Sequence, residues 1–425
     1  MKQEAQFSRS ASRKVLAATR AALAIVLLTV MASAWQARAQ NFIVLHTFAN
    51  TPDGAYPVAP VLRDAAGTLY GTTFFGGTES AGTVFKVDKD DTETVLFSFS
   101  GTEGQPSGAF PSGNLVTDED GNLYGTALEG SGGSGVVYKL TPSGKETILH
   151  NFEGGIGTTD PKVPESGLLL DKVGNLYGTT ICGGASKSCY TGTVFKLAKN
   201  GKLTVLHSFT GGSDGGAPMA SLIMDEVGNL YGTTFVGGDL ECTLQGEKGC
   251  GVVFKLDRFG KETVLHAFTG KDDGAFPLGG GVALVADADG NFYGAAGYAG
   301  AFGGQCGIYG CGTVFKVDKT GKFTVLHAFS KDGTEGETPN GALVLDPAGN
   351  LYGTTQTGGA AGNYGTVFEV SRTGKLTVLY SLNGGSEGAT PFAGLIRDSQ
   401  GNLYGTAYQA FLRFERVGTV FKVTP

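Results

Sequence analysis

The chain of 425 residues has one tryptophan, Trp35, and it lies close to the N-terminus. No cysteine stands near that segment, so a lipid-anchored N-terminus is not expected, and no second long apolar run follows that would cross a membrane. Charge is sparse, with 17% Asp, Glu, Lys and Arg, yet 41% of the residues are hydrophobic, which argues against disorder. The chain lacks a phosphate-binding glycine loop and a nucleophile elbow. Nothing in it spells a reaction, and no cofactor is expected.

What is abundant is glycine, at 71 residues. With ordinary apolar content, this points to many short strands joined by tight turns. The N-terminus is basic (Lys2, Arg9, Arg13, Lys14, Arg20), then apolar from Ala21 to Val30, and ends in small residues at Ala37-Arg38-Ala39. These are the zones of a secretory signal peptide, expected over residues 1–39, leaving 40–425 as a single domain. Its removal takes six Lys/Arg and one Glu, leaving 26 basic residues against 38 acidic, a net charge of −12. That balance argues against nucleic acid and anionic membranes as partners.

Three strings recur seven times. GNLYGTT or a near copy has its tyrosine at Tyr70, Tyr124, Tyr177, Tyr231, Tyr293, Tyr352 and Tyr404, at spacings of 54, 53, 54, 62, 59 and 52. GTVFK has its aromatic residue at Phe85, Tyr138, Phe195, Phe254, Phe315, Phe368 and Phe421. TVLHSF has its leucine at Leu45, Leu96, Leu149, Leu206, Leu265, Leu326 and Leu379. A fixed period of this size signals a repeat architecture. In the sixth copy the pattern predicts strands over 342–345, 351–355, 366–370 and 376–382, with short glycine-containing hairpins after the first and third.

Four antiparallel strands per repeat suggest the blade of a β-propeller. The repeat begins with an orphan fourth strand, Phe42 to Phe48, and ends after a third strand at Pro425. That offset is what a ring needs, because the first strand can complete the last blade and leave no open edge. The expected fold is therefore all-β: a seven-bladed propeller of four-stranded antiparallel blades, closed by the N-terminal strand.

These strings resemble the tandem repeat named for its abundance in Gloeobacter and Verrucomicrobia, and the likeness runs over residues 41–425. The resemblance implies an extracytoplasmic propeller and no assigned activity. Many members of that family carry a C-terminal anchoring segment; here the repeat stops at Val423-Thr424-Pro425, so attachment by that route is not expected.

Strand direction puts both short hairpins of a blade on one face and the long, variable connections on the other. Variable loops on a rigid scaffold are where binding residues concentrate, so the long-loop face is the candidate. Its connections between blades carry an acid-Gly-x-x-Pro theme with Asp53, Asp214, Asp273, Glu335 and Glu387. Such acids either gather a basic partner or cap their own turns. All six cysteines fall in loops between second and third strands and read as three local disulfides, Cys182 with Cys189, Cys242 with Cys250 and Cys306 with Cys311. No metal is expected, because these gaps are not CxxC and no histidine lies in those loops.

The five histidines, His46, His150, His207, His266 and His327, share one repeat position with Phe97 and Tyr380, which marks a packing site. An aspartate opens every first hairpin, from Asp64 to Asp398, as a turn-forming residue. The seventh unit departs most, with Phe411, Arg413, Phe414 and Arg416 in place of a glycine-rich loop; they either bind a partner or cover the ring closure.

The functional expectation is an exported, soluble, monomeric and non-enzymatic recognition scaffold that binds a protein or polysaccharide. A hydrolase or lyase acting on extracellular glycans or small molecules is the first alternative, and a structural cell-surface component the second. Protein recovered outside the cytoplasm should show tyrosine emission and no tryptophan emission; a tryptophan band in the purified exported protein would show that the leader stays attached.

Overall fold

The computed structural model describes residues 41–424 apart from 102–107, 131–132, 155–159, 186–188, 245, 278–283, 301–308, 410 and 413–414. Seven antiparallel sheets follow one another along the chain, each built from one repeat. In the first blade the strands are Leu62–Arg63, Leu69–Thr73, Thr83–Val87 and Glu93–Ser98, paired in sequence order.

The seventh blade runs Ile396–Arg397, Leu403–Ala407, Thr419–Thr424, and takes its fourth strand, Asn41–Thr47, from the N-terminal end of the domain. Beside it the Phe48 N–H donates to the Gly418 carbonyl at 3.1 Å. Among the described residues the only helical element is one 3₁₀ turn, Gly385–Glu387. The ring and its closure follow the sequence offset.

The first strand differs from expectation. In the sixth blade only Val344–Leu345 pairs at that place, instead of 342–345. Upstream, Glu337–Pro339 pairs with the far end of the same second strand, which extends to Thr357. The second blade repeats this with Ala109–Pro111 and Val116–Thr117 on Leu123–Glu129. The innermost strand is therefore interrupted, and the acid-Gly-x-x-Pro segment is partly its opening half rather than a free loop.

Crowding at the axis explains the interruption. A Cβ on Gly113 would come within 2.5 Å of the Gly167 backbone nitrogen in the next blade, and one on Gly341 within 2.5 Å of the Ala393 carbonyl. At the centre the Ser221 hydroxyl of the fourth blade donates to the Asn114 side-chain carbonyl of the second at 2.6 Å, passing over the third. Only small residues let seven backbones converge there.

Adjacent blades are held by one repeated contact. The aromatic ring that ends a fourth strand meets, edge to face, the third-strand ring of the next blade: Phe48 on Phe85, Phe99 on Tyr138, Phe152 on Phe195, Phe209 on Phe254, Phe268 on Phe315 and Phe329 on Phe368, at 5.0 to 5.5 Å. All twelve side chains are buried. Leu382 ends the fourth strand of the sixth blade at the corresponding place before Phe421, and it is also buried.

Such pairs contribute about 0.5–1.5 kcal/mol each beyond the area they bury. The tip of the third-strand ring lies against the glycine of the LYGTT string, its cross-strand partner, as in Gly71 opposite Phe85. The glycine is needed for room.

A Cβ on Gly71 would approach the Phe85 ring to 2.5 Å, and one on Gly353 the Phe368 ring to 2.6 Å. Gly71→Ala and Gly353→Ala should each destabilise the domain by about 1–3 kcal/mol through overpacking. Chemical denaturation checks this, and the double variant Gly71→Ala/Phe85→Leu should recover part of the loss.

Candidate functional site

The long-loop face is organised by a backbone clamp. The residue before the recurring proline has positive φ in every blade: Tyr56, Phe110, Val163, Ala217, Phe276, Thr338 and Thr390, between 51° and 60°. Outside glycine this conformation is uncommon, and for valine and threonine it is strained.

Tertiary bonds offset the strain. Each of these N–H groups donates to the carbonyl just before the GTVFK glycine of the preceding blade, as Phe110 does to Ala81 and Tyr56 to Val417. The proline that follows packs on that glycine, where a Cβ on Gly82 would sit 2.6 Å from Pro111 Cδ. The backbone is fixed while the clamp side chain stays free to vary.

That freedom has been used. At three junctions the clamp residue is aromatic and meets an aromatic residue that follows the second strand of the preceding blade: Tyr56 with Tyr408 at 4.8 Å, Phe110 with Phe74 at 5.4 Å and Phe276 with Phe235 at 4.6 Å. Phe75 joins the first two pairs, 5.8 Å from Tyr56, 5.3 Å from Phe110 and 4.7 Å from Phe74. The result is a continuous track of five rings across the seventh, first and second blades. Phe75 is 38% exposed, and the other four are half-buried. A smaller track, Phe235, Phe276, Tyr298 and Tyr309, crosses the fourth and fifth blades.

The five acids lie elsewhere on this face. Four of them bond a side chain from the outermost strand, and each caps its own turn. Asp53 bonds His46 Nε2 at 3.1 Å and accepts the Ala49 N–H. Asp273 bonds His266 at 3.0 Å and accepts the Thr269 N–H at 2.9 Å, and Glu335 does the same with His327 and Ser330. Asp214 accepts the Thr210 N–H and lies 3.8 Å from His207, while Glu387 accepts the Tyr380 hydroxyl at 2.8 Å. Because their partners stand on outer strands, these carboxylates occupy the rim of the face.

The disulfides Cys182–Cys189 and Cys242–Cys250 form in their loops, the second at the base of a small hairpin, Thr243–Leu244 with Glu247–Lys248. Cys311 is disulfide-bonded as well, and its expected partner Cys306 lies outside the described residues. In the seventh blade Phe411–Leu412 pairs with Glu415–Arg416, placing Phe411 and Arg416 opposite one another; Arg413 and Phe414 lie outside the described residues.

The aromatic track was missed in the sequence because its members are distant there. A signal existed: the residue after GTT and the residue before the proline vary among copies, and both are aromatic at the same junctions.

The fold defines a class, the tandem-repeat β-propeller. The chain belongs to the Gloeobacter/Verrucomicrobia repeat family, whose model matches residues 31–189, 129–306 and 244–425 in three overlapping stretches. No curated protein matches it. An extracellular domain from B. thetaiotaomicron shares the fold at 14% identity and a TM-score of 0.54, over 89% of this chain. This chain spans 39% of the length of that extracellular domain. A luciferin-regenerating enzyme superposes with a TM-score of 0.42 at 13% identity, over 91% of this chain and 96% of its own.

Three glutamates open fourth strands beside the preceding blade: Glu93, Glu146 and Glu262. Burial raises each to about 7, and at Glu93 the neighbouring His46 opposes the rise while Asp53 adds to it. Their folded values exceed the ordinary 4.5, so the stability they contribute is present at low pH and lost as pH rises towards 7.

The turn aspartates behave oppositely. Burial works to raise Asp225 and Asp287, but bonds from Asn229, Tyr231, Asn291, Tyr293 and the backbone outweigh it and hold both carboxyls low. Their contribution is lost as pH falls. Stability should therefore peak on the acid side of neutrality, and the triple variant Glu93→Gln/Glu146→Gln/Glu262→Gln should flatten the decline from about pH 5 to about pH 8. Melting temperature against pH tests this; an unchanged slope in the triple variant would refute it.

Proposed function

We propose that this propeller is an exported, non-enzymatic recognition module that holds an extended polysaccharide on its long-loop face. The observation that carries this reading is the five-ring track from Tyr408 through Tyr56 and Phe75 to Phe74 and Phe110. Sugar rings present apolar C–H faces that settle on aromatic faces, and a track over three blades suits a polymer better than a compact molecule.

The supporting scaffold is stiff. The clamp residues are locked by backbone bonds at both ends, as when Phe74 N–H donates to the Tyr56 carbonyl. Rings held in place lose little freedom when a ligand arrives, which favours affinity from a few contacts. Local disulfides on the same face suit an oxidising compartment outside the cytoplasm. Among the described residues no helix is long and apolar enough to cross a membrane.

Affinity electrophoresis of the mature domain in gels containing a panel of neutral polysaccharides tests the reading. At least one polymer should retard migration. Phe75→Ala and Tyr408→Ala should each weaken that retardation roughly threefold to tenfold, the loss of ~1 kcal/mol of ring contact. Retardation by no polymer, or equal retardation of both variants, would sink the assignment.

A further inference from the structure

On the opposite, short-hairpin face, a cavity of about 380 Å³ opens between the fourth and fifth blades. Its wall includes Met224, Asp225, Glu226, Ala286, Gly290 and Phe292. Its position can be compared with the same junction elsewhere in the ring.

Ala286 stands directly before its turn aspartate, where the first and seventh blades carry Arg63 and Arg397. Those arginines reach back over the preceding blade, Arg63 Cζ lying 5.7 Å from the Tyr404 ring and Arg397 Cζ 5.7 Å from the Tyr352 ring. Each head group fills the space beside its own turn glycine. A Cβ on Gly67 would meet Arg63 Nη2 at 3.0 Å, and one on Gly401 would meet Arg397 Nη2 at 3.1 Å.

At the corresponding Gly290 a Cβ would meet only Lys319 Cβ, at 3.8 Å. The chain thus supplies its own guanidinium at two junctions and leaves the space beside the turn glycine open here, as it also does beside Gly228, but here that space adjoins the cavity. Phe292, the cross-strand partner of Ala286, stacks on Tyr231 at 4.2 Å and keeps the wall aromatic.

The charge at the opening differs in the direction a free cation requires. Glu226 lies beside Asp225 at this junction, where the two arginine-filled junctions have Ser399 and Pro347 after their turn aspartates. Asp225 is held ionised by its turn bonds and accepts the Tyr231 hydroxyl at 3.1 Å. Lys255, over the Tyr231 ring, and Lys319 are the cations nearby. A ligand whose planar cation lies along Gly290 and the aromatic wall while facing Glu226 would match both the shape and the charge.

We infer that the cavity between the fourth and fifth blades binds a guanidinium group from outside the chain, either a free alkylguanidine or an arginine side chain of a peptide. It is a second site, separate from the polysaccharide track and on the other face of the ring.

The test is a titration of the full mature domain followed by amide NMR, with three probes: ethylguanidinium, N-acetyl-arginine N-methylamide, and its neutral citrulline counterpart. The two cations should give saturable shifts centred on Gly290 and Glu226, with the citrulline compound at least tenfold weaker. Ala286→Arg should abolish binding by filling the cavity from within, and Glu226→Gln should weaken it roughly threefold to tenfold. Ala286→Leu, a smaller change, should also abolish it. Tighter binding of the arginine amide would assign the site to a peptide side chain, and tighter binding of ethylguanidinium to a free alkylguanidine. Absence of saturable shifts with either cation, equal binding of the citrulline compound, or unchanged binding by folded Ala286→Arg and Ala286→Leu proteins would overturn the inference.

Discussion

The edge-to-face contact between consecutive blades is the interaction on which the rest depends. A blade on its own buries neither face, and its four short strands would be marginal in water. Placing Phe48 against Phe85, and so on around the ring, gives each sheet two covered faces. The contact dictates the glycine beneath the third-strand ring, and that glycine dictates the LYGTT string. The threonine after the glycine is tied to the same junction, since Thr126 and Thr354 donate across it to Ser166 and Ala393 carbonyls, and Thr406 to Ala59.

The clamp on the long-loop face separates structural duty from chemical identity. Its seven residues occupy a backbone conformation that costs of order 1–3 kcal/mol outside glycine. Main-chain bonds to the preceding blade and to the second strand's end in its own blade hold it, so the side chain contributes little to the fold and accepts tyrosine, valine, alanine or threonine alike. Similar reasoning applies on the other face before the turn aspartate, where arginine, threonine, leucine, methionine and alanine all occur. Both candidate sites lie at positions that the architecture leaves undetermined.

The architecture was legible because its determinants are local and repeated. Asp118, Asn122 and Tyr124 stand within six residues of one another, and their mutual bonds form one turn. Blade number, strand positions and ring closure followed from such strings. The interrupted innermost strand was not legible, because it answers to crowding at an axis that the repeat does not mention. The aromatic track was hidden for a related reason: Tyr408 and Tyr56 touch only after the ring has closed. The histidines, which repetition marks as packing residues, rest on phenylalanine rings such as Phe268 and Phe329. Attention to broken repeats favoured the cysteine loops and residues 411–416, and passed over single-residue variation inside intact motifs.

Closure by the first strand also sets an order of events for synthesis and folding. The sheet that seals the ring joins Asn41–Thr47 to Thr419–Thr424, so it cannot form until almost the whole domain has emerged. The Thr406 to Ala59 bond spans 347 residues, and such distant pairings come late in folding. An incomplete chain keeps two unsealed blade faces and stays unfinished however well its middle blades assemble. The same offset that makes the finished ring free of edges therefore delays its completion, so the ring stays open until its last strand has been made.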